Sequence, residues 1–171
     1  MESMTLGQAL ELEHRAIDGG IESFIESLDG AGPSGPAPLT SAPPNSAPLT
    51  SALNGLRRHI YLEEQFLFPP LKAAGLMGPV FVMVREHGQL WRQMNVIAAL
   101  LPDGTDADTG AEDTLRGACT ELLALLDAHN AKEEPIIYTQ ADDILGTTAS
   151  NDLLDFLAAG SMPEGWVCSA A

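Results

Sequence analysis

The sequence predicts an all-α protein, an up-down-up-down four-helix bundle with a short C-terminal helix and tail. Three observations predict it. Apolar residues recur at spacings of three and four along four stretches, the period of one helical face. Segments rich in Gly and Pro separate those stretches. A His-x-x-x-Glu-Glu pattern, His59 to Glu64 and again His129 to Glu134, then falls on two of the stripes, with the imidazole and first carboxylate one helical turn apart.

The first helix is expected over residues 5–28, where Leu6, Leu10, His14, Ile17, Ile21, Phe24 and Leu28 form one stripe. Gly19 and Gly20 weaken its middle by roughly 1 kcal/mol each relative to alanine, a cost that close packing against a neighbour would explain. Residues 29–47 turn to Gly, Pro, Ser and Ala, and the hexamer Ala37 to Ala42 recurs at Ala47 to Ala52. So little large apolar surface cannot offset the entropy of ordering, so this reads as an extended or mobile connection. The second helix should start near Pro48 and run to Phe68, where Pro69 and Pro70 end it. Its stripe is Leu49, Ala52, Leu56, His59, Glu63 and Phe66.

A short turn over 71–74 and a Gly-bounded connection over 75–78 lead to a third helix at about 79–101. Its stripe is Val80, Val84, His87, Trp91, Met94, Ala98 and Leu101. After an acidic, turn-rich loop over 102–110, the fourth helix carries Leu115, Ala118, Leu122, Leu125, His129 and Glu133, and Pro135 should kink it or start a new segment. A terminal helix is expected at 149–160, then a tail whose Trp166 caps the bundle. The whole of 1–171 reads as one domain, with the bundle over about 5–140 and an extension over 141–171.

Composition narrows the function. A net charge of -16 repels nucleic acid and anionic membrane and favours cations. The apolar runs fall short of the ~18 residues that a membrane span needs. Met-Glu-Ser-Met at the start lacks the basic and apolar regions of a secretory signal, so a cytoplasmic location is expected. Cys119 and Cys168, without metal-ligand spacing, read as unpaired thiols in a reducing compartment.

Antiparallel packing tests the level of the polar residues. At about 1.5 Å per residue, His14 and His87 each lie roughly 13 Å from the start of their helices, where the second and fourth helices arrive with His59, Glu63, His129 and Glu133. All six should share one layer, near the end opposite the connection over 29–47. Burying them unpartnered costs several kcal/mol for each charge, and a metal removes that cost. Imidazole nitrogens with carboxylate oxygens suit iron, manganese or zinc, and two carboxylates in one layer can bridge two metals. Glu64 and Glu134 fall off the stripe and read as solvated or as orienting a ligating imidazole.

The order His14, His59-x-x-x-Glu63, His87, His129-x-x-x-Glu133 resembles the hemerythrin-like (HHE cation-binding) domain across 5 to about 140. The resemblance implies two non-haem iron ions with an oxo or hydroxo bridge, Glu63 and Glu133 bridging and the four histidines as terminal ligands. Dioxygen, peroxide or another small ligand would be the partner, with iron or oxygen sensing in the same class. Oxygen-carrying hemerythrins have a second histidine one turn after the first on the third helix. Here that position holds Trp91, so one metal loses an imidazole. Water, an exogenous ligand, or Glu86, Tyr61 or Asp18 would have to complete its shell. Two other classes stay open: a peroxide-disproportionating enzyme, and a non-catalytic helical interaction module with a single zinc or a vestigial site.

Overall fold

The structure, a computed structural model, describes residues 3–29, 45–101 and 109–171. The regular structure among the described residues is all helical, with no strand. Four long helices, α1 (Leu6–Leu28), α2 (Ala47–Leu62), α4 (Met77–Leu100) and α5 (Thr109–Glu133), form the bundle. The short α3 (Phe68–Ala73) and the long α6 (Thr139–Ala159) complete the set. Helix α1 packs on α2 and α5, and α4 packs on α5. No helix among the described residues is long and apolar enough to cross a membrane. The connection expected over 29–47 and the acidic loop over 102–110 lie almost wholly outside the described residues.

Helix α1 begins where its capping groups are. Thr5 accepts from the Gln8 amide at 3.2 Å while the Gln8 side chain accepts from the Thr5 amide at 3.0 Å. Asp142 of α6 takes the next two free amides, Leu6 at 2.9 Å and Gly7 at 3.1 Å, placing a negative charge at the positive end of the helix. The buried face of α1 contains every residue of its expected stripe. Gly20 has the expected packing reason, since a Cβ there would lie 3.0 Å from both the Ala52 side chain and the Pro48 carbonyl. Gly19 has no neighbour within 4 Å.

The second stripe departs from regular α geometry. Residues Glu63–Leu67 form a π-helical segment between α2 and α3, and Glu134–Tyr138 form another between α5 and α6. A π segment winds more residues into a turn and shifts the register beyond it. Phe66, expected on the apolar face, is therefore 46% exposed, and Leu67 and Phe68 are buried in its place. Pro69 and Pro70 do not end the helical path. They stand in the first turn of α3, where proline lacks only a hydrogen bond that the helix start does not make. On α4, Ala98 is exposed and Ile97 faces the core, again one position from the expected stripe.

The terminal helix is longer than expected. Helix α6 runs on directly from the second π segment and breaks at Gly146, whose φ of 77° lies in the region that favours glycine. Beyond it the tail lies along the flank of the bundle, not over its end. Trp166 sets its ring edge-on to Tyr61 (5.1 Å) and Trp91 (5.6 Å). Arg92 donates to the Ala170 carbonyl at 2.8 Å. Gly88 makes this approach possible, since a Cβ there would run into the Ala170 carbonyl. Gly88→Ala should push the tail off and, like other overpacking changes, cost about 1–3 kcal/mol in a urea melt. An unchanged midpoint would contradict this docking. Cys119 and Cys168 are buried and unpaired, and burial pushes each thiol up to about 11.

The core is divided in two. One apolar cluster gathers Ile17 to Leu28, Leu49 to Ile60, Leu90 to Ile97 and Leu115 to Leu126. The other gathers Leu6, Leu10, Leu62, Leu67, Phe68, Val80, Met83 and Ile137 with α3 and α6. On each of the four bundle helices α1, α2, α4 and α5, the histidine sits where one cluster gives way to the other. The polar layer thus has hydrocarbon above and below it.

Candidate metal centre

The structure brings all six sequence-predicted residues together. His14, His59, Glu63 and Glu133 each place one donor atom within 4.8 Å of the others, and so do Glu63, His87, His129 and Glu133. All six are at most 4% exposed. The two groups share both glutamates. Glu63 spans them, with Oε1 3.1 Å from His59 Nε2 and Oε2 3.2 Å from His87 Nε2. Glu133 Oε2 lies 3.1 Å from His129 Nε2 and 3.6 Å from His14 Nε2. His14 Nε2 and His59 Nε2 are 3.0 Å apart.

Each imidazole is held from behind by a carboxylate at Nδ1. The pairs are His14 with Glu134 (3.0 Å), His59 with Glu13 (2.9 Å), His87 with Glu64 (3.1 Å) and His129 with Glu86 (3.0 Å). Such a pair makes Nδ1 the protonated nitrogen and turns Nε2 to the centre as a donor. The carboxylates are anchored in turn. Arg58 binds Glu13 at 2.8 Å, Arg15 binds Glu134 at 2.6 and 2.8 Å, and Lys132 pairs with Glu86. Ser169 of the tail gives Glu64 its amide at 3.0 Å and its hydroxyl at 2.7 Å.

The pattern has a two-fold character readable in the chain. Each lone histidine is preceded by a glutamate, Glu13-His14 and Glu86-His87, and that glutamate holds the motif histidine of the neighbouring helix. The second glutamate of each motif, Glu64 or Glu134, holds the lone histidine of the other pair. Sequence reasoning anticipated an orienting role as one option for Glu64 and Glu134, but not the parts of Glu13 and Glu86. Glu86 is thus turned to His129 Nδ1 and away from the centre, not into the ligand shell. Tyr61 and Asp18 are not there either. Tyr61 packs in a ring cluster with Phe66 and Trp166, and Asp18 pairs with Arg15 at 3.6 Å. Trp91 occupies the position one turn beyond His87 and packs against the tail.

Tyr138 is the residue that periodicity missed. In a regular α-helix it would lie about 140° round from Glu133, five positions back. The π segment restores it to the same face, where its hydroxyl donates to Glu63 Oε1 at 2.5 Å and lies 3.2 Å from Glu133 Oε2. A signal did exist. Tyr138 stands nine places after His129, as the buried Phe68 stands nine after His59. Gly7 helps seat it, because a Cβ there would come within 2.8 Å of the Tyr138 carbonyl.

The electrostatics are those of a centre built for positive charge. Burial and the neighbouring His59 push His14 down to about 3, so it is neutral. Burial opposes charge on His129 as well, yet Glu133 and Glu86 carry it up to about 10, and Glu63 with its partners raises His59 and His87 despite their burial. Glu63 is held well below the carboxylate range by His59 and His87 although burial works the other way. The His129 bond takes Glu86 down to about 2, with Lys132 adding to it. Burial and the charges of Glu133 and Glu63 keep the Tyr138 phenol well above its ordinary range. Protons and metal ions therefore compete for one set of donors.

A metal pair fits these residues on the structure's own terms. Glu133 Oε1 is fully buried without a hydrogen-bond partner, and Glu63 Oε2 and His87 Nε2 are fully buried with only each other to face, at 3.2 Å. Such orphans are costly without a cation to satisfy them. Glu13→Gln and Glu86→Gln each remove the charge behind one imidazole, and should weaken metal binding by about 10- to 100-fold in a competitive titration. Unchanged affinity in both variants would deny the supporting carboxylates their role.

Comparison with known proteins agrees with the geometry. The chain is 31% identical over 123 residues to the iron-sulfur cluster repair protein YtfE of Yersinia pestis (strain Pestoides F), covering 68% of this chain and 52% of that protein. The same identity and coverage hold for the protein of that name from Yersinia pseudotuberculosis serotype O:1b (strain IP 31758). The chain thus spans about half the length of these curated relatives. No solved structure matches it significantly. Residues 5–141 match the hemerythrin HHE cation binding domain, and with that stretch holding all six converging residues, the chain belongs to the hemerythrin-like family of metal-binding proteins.

Proposed function

We propose that the chain is a cytoplasmic di-iron protein that binds or reacts with dioxygen or peroxide between its helices. The observation that carries this reading is Glu63, whose two oxygens each face one imidazole of a separate pair, His59 at 3.1 Å and His87 at 3.2 Å. In the proposed centre, His14 and His59 would hold one iron and His87 and His129 the other, with Glu63 and Glu133 offered to both. When bound, such a pair supplies redox chemistry and a Lewis-acidic position for a small oxygen ligand. The residues do the rest. The Nδ1 carboxylates fix each Nε2 toward the centre, the bridging glutamates set the separation, and the apolar clusters keep bulk water out.

The test is anaerobic loading with ferrous iron, followed by air and, separately, peroxide. About two irons per chain and an oxo-to-iron charge-transfer absorption on oxidation are expected. Oxygen evolved from peroxide would make it a disproportionating enzyme; peroxide consumed without oxygen would make it a reductant. A chain that retains no iron, or a spectrum indifferent to both oxidants, defeats the proposal, and a single zinc would favour the non-catalytic module. The relatives' printed role favours a second reading, in which this centre supplies iron for iron-sulfur cluster repair. It predicts that the loaded chain restores iron to a cluster-depleted protein, with peroxide unnecessary.

A further inference from the structure

The two halves of the centre carry the same histidines, glutamates and supporting carboxylates, and they differ in the aromatic residue that follows each motif. Phe68 and Tyr138 occupy equivalent places after the two motifs, each beside a lone histidine. Phe68 stacks on His87 with centroids 5.5 Å apart and planes 15° from parallel, and Tyr138 lies 5.3 Å from His14 at 34°. The difference between them is a hydroxyl, and it points inward. It lies 2.9 Å from His59 Nε2 and 2.9 Å from His14 Nε2, besides 2.5 Å from Glu63 Oε1 and 3.2 Å from Glu133 Oε2.

These spacings have a coordination meaning. Metal bonds to imidazole and carboxylate of about 2.1 Å put adjacent donors about 3 Å apart. His14 to His59 at 3.0 Å, His59 to Glu63 at 3.1 Å and His14 to Glu133 at 3.6 Å are edges of a four-donor base on that scale. An oxygen at 2.5 to 3.2 Å from all four corners stands where the apex of a square pyramid stands. No tyrosine stands at the equivalent place in the His87–His129 group, where Phe68 offers no donor and Trp91 no imidazole.

We propose that Tyr138 is a direct ligand of the metal held by His14 and His59, giving it five protein donors and leaving the His87–His129 metal, with four, as the one that takes the small ligand. This rests on the di-iron reading above. Binding converts the phenol to a phenolate, its proton leaving to water as the metal–oxygen bond forms. The asymmetry of the centre then comes from one residue type at one position.

Phenolate bound to ferric iron has its own charge-transfer absorption, and excitation within it enhances tyrosine ring modes in the resonance Raman spectrum. The experiment loads wild type, Tyr138→Phe and Tyr61→Phe with iron, oxidises them and records iron content with both spectra. The chain has two tyrosines, so Tyr61→Phe assigns the signal without touching the centre. Expected are tyrosinate modes in wild type and in Tyr61→Phe, and their loss in Tyr138→Phe with iron retained. Wild type holding two irons without those modes overturns the proposal, as does loss of the modes in Tyr61→Phe. Wild type without iron overturns the di-iron reading and this one with it. If Tyr138→Phe does not fold, wild type and Tyr61→Phe still decide.

Discussion

Glu63→Ala should lower bound iron from the proposed two per chain to one at most. Glu63 faces His59 with one oxygen and His87 with the other, and neither pair of imidazoles keeps its full donor set when it goes. Losing a residue that merely supports a ligand costs about 10- to 100-fold in affinity, and losing a shared ligand should cost more than that. Glu133→Ala is the matching variant, since Glu133 also belongs to both groups. Iron content after desalting, compared among wild type and the two variants, reads the effect. Two tightly held irons in Glu63→Ala would mean that the carboxylate does not bridge.

The metal-free chain should be most stable near pH 6.5, and bound metal should cancel the loss on its alkaline side. Below that pH the unfolded chain protonates His14 with its ordinary value of 6.5, whereas the folded chain resists until about 3. Stability therefore falls on acidification through that window, and Glu86, ionised in the fold down to about 2, adds to the loss below its ordinary 4.5. Above it the sign changes. His129 keeps its proton in the fold up to about 10, so its contribution is full below 6.5 and is lost as pH rises toward 10. His59 and His87, also raised, act in the same direction. Metal ligation needs those imidazoles neutral, so binding releases protons and tightens as pH rises. The gap in Tm between loaded and metal-free chain should widen from pH 6.5 to 9 at fixed free metal. Parallel profiles would show that metal and protons do not share these donors.

Most of the bundle was legible because its helices obey one period. Helix α1 buries its expected stripe without a slip, and its histidine arrives at the level that antiparallel packing assigns it. The misses begin where the period changes. The two π segments exposed Phe66, buried Leu67 and brought Tyr138 inward, and a reading based on 3.6 residues per turn has no means of placing such an insertion. Pro69 and Pro70 look like terminators because proline breaks helix interiors, yet after a π segment they begin a new helix. The carboxylates behind the imidazoles were harder still. Glu13 and Glu86 face helices far away in sequence, and their local sign was only a glutamate next to a histidine. The tail's docking rests on Gly88, Arg92 and Glu64 meeting residues about 80 to 105 positions away, which no local pattern encodes.

The central claim is that one buried layer holds a pair of metal ions between Glu63 and Glu133. A crystal of the iron-loaded chain, measured for anomalous scattering at the iron edge, tests it most directly. The account predicts two peaks about 3.5–4 Å apart, one against His14 and His59 and one against His87 and His129. A single peak, or none among these six side chains, would contradict it.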